Sequence, residues 1–79
     1  MNEHASHPLP GLLYRHMKTG RTYEVLALAR TEAFGEGSPD RVIYRGPDGR
    51  VWDRPVSEWF ERVLVDGRDV RRFELGLME

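Results

Sequence analysis

Arg15, His16 and Lys18 stand close together in the stretch "YRHMKTG", with Tyr14 directly before them. Further along, "WDRP" joins the indole of Trp52 to the guanidinium of Arg54. Arginine forks two N–H donors onto a carboxylate or a phosphate, and aromatic rings give a base or another planar group something to stack on. Together with Tyr44, these residues outline a ligand-binding site of Tyr14, Arg15, His16, Lys18, Tyr44, Trp52 and Arg54, suited to an anionic or aromatic partner such as a nucleotide, a nucleic acid or a peptide. The same residues also read as ordinary structure. Lys18 and Arg21 would then flank an exposed hairpin, Arg15 would pair with Glu24 or Asp53 across strands, Trp52 would be core, and Arg54 would clamp carbonyls of neighbouring turns.

His16 titrates near neutral pH, but a general base also needs a nucleophile or water and an orienting carboxylate. Asp53 and Glu24 are the carboxylates considered for that role. Ser6, Ser38 and Ser57 fall in the leading segment, a loop and a helix, and none is an evident nucleophile. A hydrolase using His16 is therefore the weakest reading, the chain is read as leaning away from an enzyme, and no catalytic residue is assigned. Lys18-Thr19-Gly20 matches one fragment of the penicillin-binding enzymes, whose Ser-x-x-Lys motif is missing here. His4 and His7 could share a metal on a helix, but Pro8 follows them and no cysteine or well-spaced acid completes a set. No metal or cofactor is expected. The pairs Asp48-Gly49 and Asp66-Gly67 lack the remaining acids of a calcium loop and read as turns.

These residues must be carried by short elements. Residues 1–10 are polar, hold Pro8 and Pro10, and read as a flexible tail; residues 11–76 read as one small domain. From Gly11 the chain alternates, Tyr14, His16 and Lys18 on one side, Leu13, Arg15 and Met17 on the other, which is strand periodicity. Thr19-Gly20 marks a hairpin. The next strand places Tyr23, Val25, Ala27 and Ala29 on one face. "TEAFGEGSPD" (31–40) is a loop, "RVIYR" a third strand, Pro47-Asp48-Gly49 a turn, and "VWDR" a fourth strand. After Pro55 the spacing of Val56, Trp59, Phe60 and Val63 becomes helical. A segment this short predicts one or two turns stoppering the sheet. "VLV", a turn at Asp66-Gly67 and a last strand "RDVRRFEL" follow. The expected fold is mainly β, a small antiparallel SH3-like barrel of five or six strands with one short plug helix. Its expected core is Tyr23, Val25, Ala27, Val42, Tyr44, Val51, Trp52, Trp59, Phe60, Val63, Val65 and Phe73.

Composition narrows the setting. The chain has 79 residues, 12 basic and 13 acidic, and a net charge of −1. Such a balance gives no bulk attraction to nucleic acid or to anionic lipid, so anion binding must come from a local patch. No run approaches the ~20 apolar residues of a membrane span, and the N-terminus lacks the basic and apolar regions of a signal peptide. Cysteine is absent. Small secreted domains usually rely on disulfides, so a cytoplasmic location is expected.

The ordered set "YRHMKTG…YEV" (14–25), "VIY" (42–44), "WDRP" (52–55), "WFERV" (59–63), "DG" (66–67) and "RRF" (71–73) resembles a small bacterial family whose function is unknown. That family's pattern runs Tyr-Arg-His-x-Lys-Gly, Tyr-x-Val, Trp-x-Arg-Pro, an aromatic helical turn and Pro-Arg-Phe. The resemblance covers residues 11–74 and implies a compact β domain, with no established activity or ligand. Thr19 is an insertion relative to the pattern, Arg30-Thr31-Glu32-Ala33 replaces its His-x-Glu-Thr, and Arg71 replaces its proline. The reading that follows is a small cytoplasmic binding or interaction module. The alternative is a structural homodimer, or an accessory domain of a larger assembly, using exposed strand edges.

Overall fold

The structure, a computed structural model, describes residues 8–31 and 39–76. Seven strands and one helical turn are present among them: β1 (Leu13–His16), β2 (Thr22–Ala29), β3 (Arg41–Arg45), β4 (Val51–Pro55), α1 (Val56–Trp59), β5 (Arg62–Val65), β6 (Arg68–Arg71) and β7 (Phe73–Leu75). All pairings are antiparallel. One sheet runs β4-β3-β2-β1-β7, and the hairpin β5-β6 forms a second. The mainly β class and the single short helix match expectation. Barrel closure is not found among the described residues, because β4 and β7 end the large sheet without pairing to each other.

The turns follow the residue chemistry. Asp66 and Gly67 both hold positive φ, 53° and 78°, the backbone of a two-residue hairpin turn that matches strand twist. At Gly46–Arg50 the Gly49 N–H donates to the Gly46 carbonyl at 3.0 Å, and the Asp48 carboxylate accepts the Arg50 N–H at 3.0 Å. Between β6 and β7 the expected single strand is broken at Arg72. Its N–H donates to the Glu61 carbonyl at 2.6 Å, while its own carbonyl accepts the Met17 N–H at 2.8 Å. One residue thus hands the chain from the small sheet to the large one.

A bulge decides which residues of β2 are core. Val25 faces Tyr44 and Ala27 faces Ile43, so Leu26 is an extra residue in the ladder. An extra residue inverts the alternation beyond it. Ala27, expected in the core, is exposed, and Leu28 packs against the core in its place. Val51 and Trp52, also expected inside, are 55% and 48% exposed because β4 is an edge strand, with no further strand beyond it among the described residues. Val63 and Val65 lie in the small sheet, partly buried and outside the main cluster.

That cluster is Tyr14, Val25, Val42, Tyr44, Trp59 and Phe73, with Tyr23, Leu28, Val56 and Phe60 around it. Cross-strand partners in an antiparallel sheet share a face. The pairs Tyr14–Tyr23, Val25–Tyr44 and His16–Phe73 therefore put the core on one side of the sheet. Trp59 closes that side. Its ring lies parallel to Phe73 at 3.8 Å between centroids and meets Tyr14 and Tyr44 edge-on at 5.6 and 5.1 Å. Its indole N–H is buried with no hydrogen-bond partner among the described residues. The expected stopper is thus present, made of one helical turn. The folded unit also begins earlier than Gly11: Pro8 is buried, and the Leu9 N–H donates to the Tyr14 hydroxyl at 3.0 Å. Gly11 N–H donates to Val25 and Gly76 N–H to Leu13, both at 2.8 Å.

Candidate functional site

The expected site needed β1 and β4 side by side. They are separated by β2 and β3, so its seven residues do not gather in one patch. Tyr14 is 4% exposed, with its hydroxyl engaged by Leu9, and serves the core. Arg15 lies opposite Thr22 and Glu74, on the sheet face away from the core. The ion pairs anticipated for it go elsewhere: Arg45 holds Glu24 at 3.0 Å, and Arg41 holds Asp53 through two N–H groups. Lys18 sits exposed in the turn after β1.

Tyr44, Trp52 and Arg54 do come together. They line a hollow of about 230 Å³ with Arg21, Tyr23, Pro47 and Asp48. Strand register explains the grouping, because Tyr44 faces Trp52 and the next pair on the same side is Val42 with Arg54. The Tyr44 ring is 6% exposed, with its hydroxyl oxygen accepting Arg54 Nε at 3.3 Å. Arg54 also donates from Nη1 to Glu58 at 3.3 Å and lies over the Phe73 ring at 5.6 Å. It is therefore braced from three sides, and Nη2 has no hydrogen-bond partner among the described residues. Tyr23 reaches the hollow because Gly46 is bare: a Cβ there would meet the Tyr23 ring at 3.0 Å.

Charge in the hollow is net positive. The Asp48 carboxylate accepts the Arg50 N–H and lies 3.6 Å from the Arg50 side chain, so it is largely occupied. Arg21 makes no ion pair among the described residues. Arg21, Tyr23, Pro47 and Asp48 were not among the expected site residues; they were read as a hairpin flank, a core ring and a turn. Period-two counting put Tyr23 and Tyr44 in the core, and the register that sets Val25 opposite Tyr44 brings the two rings to 5.6 Å. The turn residues Pro47 and Asp48 give no such signal, since it is the bend of the β3–β4 hairpin that folds them over the sheet.

His16 lies on the same sheet face, next to this hollow. Its ring meets Phe73 edge-on at 4.8 Å and stands 6.3 Å from Tyr23. Nδ1 is buried with no hydrogen-bond partner of good geometry among the described residues. Burial lowers its pKa below 6.5, and the positive charges of Arg54, Arg72 and Lys18 lower it further, against a smaller opposing backbone hydrogen bond. Glu24 and Asp53, the carboxylates considered as its orienters, sit on the other face in their own ion pairs. The surroundings of His16 are thus rings and cations, with neither carboxylate on its side of the sheet. Of the serines, Ser57 is exposed on α1, while Ser6 and Ser38 lie outside the described residues, as do His4 and His7.

No helix among the described residues is long and apolar enough to cross a membrane. No curated protein and no solved structure matches the chain. Residues 12–75 match a family described as "Protein of unknown function (DUF1653)", in keeping with the unassigned family that the motifs resemble. That match spans well over half of the chain, and the protein accordingly belongs to the DUF1653 family.

Proposed function

We propose that this protein is a small binding module that takes a planar, negatively charged group in the hollow between β2, β3 and β4. The observation that carries the reading is the grouping of Arg21, which makes no ion pair among the described residues, and a braced Arg54 with the exposed ring of Trp52 around one concavity. A charge-assisted hydrogen bond from arginine gains most where the donor is already held in place, and Arg54 is held by Tyr44, Glu58 and Phe73. At about 230 Å³ the hollow is smaller than a typical ligand pocket of roughly 300–1,000 Å³. It fits one ring or one anionic group of a nucleotide, nucleic acid or peptide rather than a whole ligand. The SH3-like comparison belongs to this reading as an analogy of strand order and plug helix, and a cysteine-free domain of this size suits a bacterial cytoplasm.

Amide-resolved NMR titration with a nucleoside monophosphate, a short oligonucleotide and an acidic peptide tests the reading. Shifts should centre on Arg21, Tyr44, Trp52 and Arg54, with quenching of Trp52 emission. Arg21→Ala should weaken binding roughly 10- to 100-fold, the effect of losing one charged hydrogen bond of about 1.5–3 kcal/mol. Flat spectra at millimolar ligand, or shifts confined to other surfaces, would defeat it.

A further inference from the structure

We propose that two copies of this chain join through the outer edge of β4, antiparallel, with Trp52 facing Trp52 of the partner subunit on a two-fold axis. The hydrogen-bond parity of the β3–β4 ladder shows what the edge offers. Gly46 donates to Arg50, and Val56 donates to Asp40, each at 2.9 Å. Stepping by twos through the register, Trp52 and Arg54 also turn their backbone groups toward β3. Val51, Asp53 and Pro55 therefore turn theirs outward. Proline stands on the outward side, where its missing N–H costs the ladder nothing. The N–H groups of Val51 and Asp53 are left as two donors, two residues apart, with no partner among the described residues.

A second copy satisfies that edge in one register. With Val51 opposite Asp53 of the partner subunit, both outward donors and both acceptors of each chain are used, making four interchain hydrogen bonds. Trp52 then falls in the intervening pair, where opposed Cβ atoms lie about 4.5–5.5 Å apart and aromatic pairs are favourable. This covers an indole that is 48% exposed and a Val51 that is 55% exposed. Shifting so that Asp53 opposes Asp53 of the partner subunit is worse. It sets two carboxylates together and leaves the Val51 carbonyl against a proline. The favoured register opposes Arg54 to Arg50 of the partner subunit, but each of these cations has its own carboxylate, Glu58 at 3.3 Å and Asp48 at 3.6 Å. Such an interface is isologous, one patch meeting itself. It also sets two hollows beside the axis, each with the partner subunit's Trp52 near its rim. The edge geometry stands whether or not the hollow binds a ligand.

Sedimentation velocity from about 10 µM to about 1 mM spans the range expected of so short an edge. The full chain should pass from monomer to dimer. Trp52→Ala and Asp53→Pro should each remain monomeric, while Asp53→Asn, which keeps the N–H, should still dimerise. Leu75→Pro, on the opposite edge strand, should dimerise as well, and so should Arg21→Ala, which disables only the proposed ligand site. Added salt should leave the dimer intact, because screening relieves the opposed arginines. A chain that stays monomeric throughout overturns the proposal. So does a dimer that survives both Trp52→Ala and Asp53→Pro, is lost with Leu75→Pro, or dissolves in salt.

Discussion

Trp59 offers the sharpest test of how the domain is held together. It is fully buried, stacked on Phe73 and bordered by Tyr14 and Tyr44. Truncating a buried tryptophan to alanine costs about 3–5 kcal/mol, transfer and cavity terms together. A chain of 79 residues has a total stability of about 4–12 kcal/mol at 0.05–0.15 kcal/mol per residue. Trp59→Ala should therefore consume about a quarter of the stability at the least and unfold the domain at the worst. Trp59→Phe should cost far less, about 1 kcal/mol. It keeps a ring against Phe73 and deletes a buried indole N–H that has no partner among the described residues, whose desolvation now costs about 1–3 kcal/mol. Leu64→Ala, at a side chain 70% exposed, serves as control and should stay within about 0.5 kcal/mol of the parent. Urea unfolding followed by circular dichroism reads all three. A Trp59→Ala protein that unfolds within about 1 kcal/mol of the parent, with the same denaturant slope, would refute the idea that one helical turn closes this core.

Two further outcomes are expected. The pKa of His16 is lowered in the folded chain, so the unfolded chain binds its proton more readily. The stability this gives is complete above about pH 6.5 and is lost as pH falls from there toward the folded value; urea midpoints at neutral and mildly acidic pH should show that loss, and His16→Gln should show less of it. Leu28→Ala should cost about 1–2 kcal/mol while Ala27→Ser is nearly neutral, since the bulge gives the core face to Leu28; the reverse order in thermal melts would place the extra residue elsewhere.

Much of the architecture is legible in residue order. Period-two alternation marks β1 and β3, Asp66-Gly67 marks a hairpin, and the spacing of Val56, Trp59 and Phe60 marks the stopper. What failed did so for identifiable reasons. Alternation cannot announce a bulge, so Ala27 was assigned a place that Leu28 holds. Hydrophobicity cannot tell an edge strand from a central one, so Val51 and Trp52 were expected inside. "RDVRRFEL" reads as one strand because nothing in its side chains reveals that the Arg72 backbone bonds to Glu61, just before β5, and to Met17, just after β1. Of the candidate site, the Trp52–Arg54 half was readable because both residues lie on one strand with Tyr44 opposite. The Tyr14–Lys18 half was not, since adjacency of β1 to β4 is a matter of strand order, and β2 and β3 intervene.

Leu13 binds Gly76, and the segment before it, from Pro8 onward, folds back on Tyr14 and Val25. Entry to and exit from the described domain thus share one corner, on the side of the large sheet away from β4. A unit with adjoining ends can be seated in an exposed loop of a host protein without prising its strands apart. From that corner it would project the opposite border of its sheet, with Trp52, into solvent.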